Sequence, residues 1–289
     1  GYHGLGVAQG GMVDTPDGDW YAFMFQDRGA LGRAPVLMPM HFEDGFPIIG
    51  GNGKVPEVVT VLDTGYQYAA INGSDDFFYK PDENGQITLK NFWEFNHQQM
   101  DDFWSVTENP GHLRLHSAKL SPTLFQAYNT LTQRTVGPKC AAEVTLRFAH
   151  MKNGDVAGIS TFIGNYGFTG VKKENDQFYL IMMGRPAKDT TVFGQFEYEN
   201  PGIEYQRVPI IDTSVCLRAE ADFTDKKDLA SFFYKNREGW QKLGIDQPMY
   251  FKMDLFTGCR FGLFYYSTKQ TGGFVDFSKF QFFEPKEEG

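Results

Sequence analysis

Ala142-Glu143-Val144-Thr145-Leu146-Arg147-Phe148 alternates apolar and polar residues without a break. At the two-residue period of a strand, Ala142, Val144, Leu146 and Phe148 line one face and Glu143, Thr145 and Arg147 the other. A strand of this kind has one face in a core and one in water, as in antiparallel sheets. Strand-like runs recur around it at 112–116, 156–165, 177–183, 191–199, 215–223, 229–235, 250–256, 260–267 and 273–283. Short runs separated by turn residues predict a sandwich of two packed sheets. The alternating stretch itself extends over 140–150. Helical periodicity is scarce: one short turn is expected near 121–129, and no solenoid period is visible.

Upstream, Gly11-Met12-Val13-Asp14-Thr15 and a run from Asp19 to Phe25 are joined by Pro16-Asp17-Gly18. Proline presets φ and glycine accepts positive φ, so a hairpin is predicted. A second pair, 36–42 and 46–49, is joined by Glu43-Asp44-Gly45. From residue 50 to about 92 the pattern weakens among Gly50-Gly51-Asn52-Gly53 and Pro81-Asp82-Glu83-Asn84-Gly85. This stretch is expected to be a crossing linker with one strand at 58–62. The expected division is 1–52, 53–90 as linker, and 91–289 as the sandwich.

Composition agrees with an all-β chain. Aromatic residues make up 16%, Phe supplies 28 residues and Gly 32, which favours pleated surfaces and tight turns. The net charge of −9 and the lack of a Lys/Arg cluster make nucleic acid and anionic membranes poor partners. No run of 18 apolar residues exists, so no membrane-spanning helix is expected. Cys140, Cys216 and Cys259 are odd in number and sit in apolar contexts, so buried free thiols are expected and a disulfide framework is not. Free thiols lean toward a reducing, cytoplasmic compartment. The opening Gly1-Tyr2-His3-Gly4 reads as sequence from inside a longer protein.

Three blocks, in order, resemble one family. Gln9-Gly10-Gly11-Met12-Val13-Asp14-Thr15-Pro16-Asp17-Gly18-Asp19-Trp20-Tyr21, followed by Gly29-Ala30-Leu31-Gly32-Arg33, resembles the last-blade hairpin of family 43 glycoside hydrolases. Phe42-Glu43-Asp44-Gly45-Phe46-Pro47 looks like that family's W-x-D-G-W-P segment with Phe for both Trp. Phe92-Trp93-Glu94-Phe95-Asn96-His97, Trp104-Ser105-Val106 and Pro110-Gly111-His112-Leu113-Arg114-Leu115 are similar to the opening of the concanavalin-like sandwich attached to β-xylosidases and α-L-arabinofuranosidases. Thr132-Gln133-Arg134, Val156-Ala157-Gly158-Ile159 and Gly273-Phe274-Val275-Asp276-Phe277 continue the likeness.

The resemblance implies the end of a five-bladed β-propeller followed by an antiparallel, concanavalin A-like jelly-roll sandwich. It implies a parent enzyme that removes terminal xylose or arabinose from plant-polysaccharide oligomers. The family inverts configuration with an Asp base, a Glu acid and a second Asp. The acid and base stand roughly 6.5–9.5 Å apart to admit water. All three are expected on blades upstream of Gly1, so no catalytic residue is assigned here. The sandwich is expected to pack on its own propeller and help wall the pocket.

Two substrate-binding candidates follow from the resemblance. Arg33 takes the place of an arginine that contacts the sugar, where its planar fork suits paired hydroxyls or a carboxylate. Gln9 stands where many members have a histidine facing the propeller centre, sometimes near calcium; His3 is the alternative imidazole. No cofactor and no metal ligand is assigned. Asp276 lies near where related sandwiches hold a structural calcium, but calcium wants six to eight oxygens.

The plainer readings compete. Asp14, Asp17 and Asp19 read as turn residues, and Asp75-Asp76 and Asp101-Asp102 as loop or cap residues. Trp93, Trp104, Trp240, Tyr265 and Tyr266 read as core, with Trp240 half-buried, rather than as a sugar platform. A stand-alone carbohydrate-binding module is the rival function, an unrelated adhesion-type sandwich ranks behind it, and a homo-oligomer is left open. No Ser-His-Asp order, Walker loop or dinucleotide fingerprint is present.

Overall fold

Backbone pairing sorts the strands into three antiparallel sheets. The computed structural model describes residues 6–51, 54–61, 64–186, 199–250 and 257–285. The first sheet is a meander of β1 (Val7–Asp14), β2 (Trp20–Asp27), β3 (Arg33–Glu43) and β4 (Phe46–Ile49), paired in chain order. Both predicted hairpins are present. The first turns through Gly18 at φ 89°, with Gly18 N–H donating to Thr15 O at 2.9 Å. Asp14, Asp17 and Asp19 flank that turn, as their residue type implies.

Downstream come β5 (Glu94–Phe95), β6 (Trp104–Ser105), β7 (Leu113–His116), β8 (Leu131–Arg134), β9 (Lys139–Arg147), β10 (Asp155–Phe162), β11 (Gly167–Glu174) and β12 (Gln177–Gly184). They are followed by β13 (Ile203–Ile210), β14 (Ser214–Asp222), β15 (Leu229–Asn236), β16 (Gly239–Lys242), β17 (Gln247–Pro248), β18 (Arg260–Ser267) and β19 (Phe274–Phe283). One sheet runs β13-β12-β11-β10-β18-β8-β5 and the other β16-β15-β14-β9-β19-β7-β6, with β17 paired to β15. This is the all-β, concanavalin-like antiparallel sandwich expected from the sequence. The alternation read in β9 holds: Ala142, Val144, Leu146 and Phe148 are all buried. They share one core with Leu217, Ala219 and Phe277 of their own sheet and Ala157, Ile159, Phe261 and Leu263 of the facing one.

The opposite face of the seven-stranded sheet is also buried. Val156, Phe162, Phe168, Ile181, Phe264 and Tyr266 pack in a second cluster with Leu124 and Phe125 from a 3-10 turn. That turn is the only helical feature the sequence predicted near 121–129. A third, small cluster of Ala22, Met38 and Met40 lies on one face of the meander, with Val55 packed against it.

Between meander and sandwich the chain crosses with little regular structure. The strand expected at 58–62 is not seen at residues 58–61, and Leu62 lies outside the described residues. The expected strand 191–199 falls almost wholly outside them, as does 250–256. The crossing segment is nevertheless pinned: Asp75 N–H donates to Phe280 O at 2.9 Å, and Phe77, fully buried, stacks on Trp93 at 5.9 Å between ring centroids. No helix among the described residues is long and apolar enough to cross a membrane.

Candidate functional site

Gly29-Ala30-Leu31 forms a single 3-10 turn between β2 and β3. Gly29 at φ 60° and Gly32 at φ 92° take left-handed conformations that cost glycine little, and Arg28 N–H closes the loop on Gly32 O at 2.8 Å. The small Ala30 side chain lets the turn sink into the end of the sandwich, where it is fully buried. There its N–H donates to Asp228 Oδ2 at 2.9 Å, and its carbonyl accepts from Cys259 N–H at 2.8 Å. Gly32 meets Gly258 backbone to backbone: a Cβ on Gly32 would lie 2.6 Å from Gly258 Cα, and one on Gly258 2.0 Å from Leu31 O. The meander is thus plugged into a socket made by residues far away in sequence.

Arg33 follows directly, as the first residue of β3. Its Nε donates to Asp27 Oδ1 at 3.1 Å, and its guanidinium carbon sits 4.0 Å over the centroid of the Phe25 ring. Asp27 is its register partner on β2, so Arg33, Asp27 and Phe25 share one face. On the other side of β2, Phe25 pairs with Ala8, and the register slips between Ala8 and Gly10. The extra residue is Gln9, exposed and at φ 46°. Bulges re-aim side chains and are common beside functional sites. Gly10 permits the slip, since a Cβ there would lie 2.1 Å from Phe23 O. Arg33 and Gln9 therefore stand at the same end of the meander, flanking β2. His3 lies outside the described residues.

Sequence reading missed Asp27, Phe25 and Asp228. Asp27 was accessible, since it lies just before the quoted Gly29–Arg33 block. Asp228 was not, because only the fold brings it to Ala30. Burial pushes the Asp228 carboxyl up, and the Ala30 N–H offsets part of that.

The other acids in the interior are taken by structural partners. Asp155 accepts from Lys152 N–H at 2.5 Å, Tyr265 at 2.6 Å and Ser267 at 2.5 Å. Burial still holds its carboxyl above the usual range. Asp276 is gripped by the Arg114 fork at 2.7 and 2.9 Å and by Asn109 at 2.9 Å. A cation beside Asp276 would have to displace that guanidinium. Among the described residues, no group of three or more His, Cys, Asp or Glu is placed to share a metal ion. Asp75, read from sequence as a loop residue, is instead a buried acceptor for Phe77, Tyr79 and Trp93. Asp101 and Asp102 occupy the first turn of a 3-10 helix.

The aromatic candidates are core or half-buried. Trp93, Tyr265 and Tyr266 are buried; Trp104 packs on Phe95, and Trp240 lies 4.1 Å beneath Arg218. The three cysteines are free, with Cys140 and Cys259 buried. Burial pushes the Cys140 thiol up to about 12.

Comparison with known proteins places this geometry. The profile of the β-xylosidase C-terminal concanavalin A-like domain family matches residues 82–283. A β-xylosidase from Formosa agariphila is 27% identical across 97% of this chain and 48% of its own length. A solved bifunctional GH43-CE protein from Bacteroides eggerthii aligns with a TM-score of 0.82 and 37% identity, over 97% of this chain and 34% of that one. A GH43 glycoside hydrolase, engineered in its active site to display both endo-xylanase and exo-arabinofuranosidase activity, aligns with a TM-score of 0.80 and 28% identity, over 96% and 54%. The chain thus spans about half the length of these relatives, or less.

Proposed function

The chain belongs to the family of β-xylosidase C-terminal concanavalin A-like domains, and on that premise we propose that it is the non-catalytic, C-terminal part of a glycosidase releasing terminal xylose or arabinose from plant-polysaccharide oligomers. In this reading the meander is the last blade of a propeller and residues 53–90 are the linker. Residues 91–289 are the sandwich that packs on the propeller and walls the pocket. The general acid and the water-activating carboxylate come from other blades, on opposite faces of the sugar. Arg33 grips hydroxyls of the terminal pentose with its fixed fork, and Gln9 offers an amide beside it.

The observation that supports this reading is that Arg33 and Gln9 flank β2 toward the same blade end, beside the socket in which the sandwich holds the blade. The blade also has the character of a surface meant to be covered. Phe23 and Phe46 are 54% and 72% exposed, and the buried Gln26 Oε1 has no hydrogen-bond partner among the described residues. A stand-alone binding module would need aromatic platforms open to solvent. Phe168, Phe264 and Tyr266 are instead buried with Leu124 and Phe125.

Aryl xylosides and aryl arabinofuranosides, assayed with the full-length protein, test the reading. Arg33→Ala is expected to lower kcat/KM about 10–100-fold, the scale of a hydrogen bond to a charged group. An unchanged kcat/KM would remove Arg33 from the pocket. Affinity electrophoresis of this chain in xylan or arabinan gels is expected to show no retardation, and clear retardation would favour the binding module.

A further inference from the structure

One residue of the blade, Ala30, is held by the sandwich through both of its backbone polar groups. Ala30 is held from both sides, its N–H by the Asp228 carboxylate at 2.9 Å and its C=O by Cys259 N–H at 2.8 Å. The turn cannot slide in the socket, because Gly32 and Gly258 are in backbone contact and a Cβ on Gly29 would lie 2.3 Å from Asp228 Oδ2. Only Leu31 and Gly32 lie between the clamped Ala30 and Arg33, so a shift of the turn is passed to the first residue of β3.

Asp228 carries a cost that packing alone does not explain. It sits at φ 47°, a left-handed conformation in which glycine would be easier. Its carbonyl accepts from Met249 N–H at 2.7 Å, which fixes the backbone. Its carboxyl is partly buried with the Ala30 N–H as its hydrogen-bond donor, so burial pushes it upward. A glycine would relieve the backbone and remove the buried carboxyl, yet it would leave Ala30 N–H unheld. The residue is chosen for the clamp.

We infer that Asp228 is a positioning residue: through the Gly29–Gly32 turn, the sandwich sets the location of the Arg33 guanidinium at the blade end, and so tunes how tightly a terminal pentose is gripped. This rests on the reading of Arg33 as a sugar contact. It gives a domain without catalytic carboxylates a definite part in substrate affinity, by way of a side chain that touches no sugar. Displacements of about 1 Å at a positioning group can cost as much as a hundredfold in rate.

The test is a double-mutant cycle in the full-length protein with an aryl pentoside. Asp228→Gly is the chief variant, because glycine adopts φ 47° without backbone strain, so the fold is expected to be kept. It is expected to raise KM about tenfold with kcat changed less than about twofold. Asp228→Asn keeps an acceptor oxygen for Ala30 N–H and is expected to restore KM to near the wild-type value. In an Arg33→Ala background, Asp228→Gly is expected to add almost nothing, since its effect runs through Arg33. If Asp228→Gly lowers kcat at unchanged KM in step with a lower Tm, or if its effect multiplies fully with that of Arg33→Ala, the positioning role is overturned and Asp228 is structural. If Arg33→Ala alone leaves KM and kcat untouched, the sugar-contact reading falls, and the inference with it.

Discussion

Asp75 gathers more donors than any turn aspartate needs. Phe77 N–H at 2.9 Å, Trp93 Nε1 at 2.8 Å and the Tyr79 hydroxyl all point at its carboxylate, and Lys90 Nζ lies 3.2 Å away. Asp75-Asp76 is legible in sequence only as polar loop residues, because Trp93 and Phe280 reach Asp75 through folding. Asp75→Ala is expected to cost about 3 kcal/mol, since the Phe77 and Trp93 N–H groups would be left unpaired. Urea unfolding followed by tryptophan fluorescence measures this, and a loss below about 1 kcal/mol would mean water replaces the carboxylate. Asp276 bears on pH. Burial raises its carboxyl, but Arg114 and Asn109 outweigh that and hold it below the usual carboxylate range. A carboxyl lowered in the folded state stabilises the fold above the unfolded value of about 3.9. That contribution disappears as pH falls through the folded value. Asp276→Asn should therefore be less stable than wild type at neutral pH, with the gap closing in acid. A gap that stays constant down to about pH 3 would contradict it.

Among the elements, several strands were legible to within about three residues: β9, with its strict alternation, and β14, β15, β18 and β19 stand close to where the apolar runs put them. The ones missed have physical reasons. Strand β11 opens Gly167-Phe168-Thr169-Gly170 and ends in Lys172-Lys173-Glu174, so glycines and charges mask it. Its glycine is a packing device, because Gly158 of β10 pairs with Gly170. A Cβ on Gly158 would lie 2.2 Å from Thr169 O. Strand β13 lies at the edge of its sheet, carries Pro209 and has no fully buried residue; Tyr205, Val208 and Ile210 are only half-buried against the core, so its apolar face is weakly marked. Gly158→Ala is expected to destabilise by about 1–3 kcal/mol by forcing β10 and β11 apart. Thermal melts would show this, and an unchanged Tm would mean the two strands part freely.

At the scale of the molecule, the sandwich was written in the strand pattern, while its grip on the meander was not. The Gly29–Gly32 turn meets Asp228 and Gly258–Cys259, and the crossing segment meets Phe280. No local pattern encodes contacts between segments so far apart, and that Gln9 is the bulged residue of β1, across β2 from Arg33, needed the register to be seen. Strand β19 also joins segments far apart in sequence. It lies between β9 and β7 in the middle of the eight-stranded sheet, and Phe280 both packs on Trp93 and receives the Asp75 N–H. During synthesis, therefore, everything before Phe274 emerges from the ribosome with a gap where its central strand belongs. Two flanking strands then present bare edges that invite wrong partners. Nascent chains stalled before Phe274 should be digested by a mild protease as readily as an unfolded polypeptide, and chains stalled after Phe283 has cleared the exit tunnel should resist it. Protection of the earlier chains would show that β7 and β9 can wait for β19 without harm.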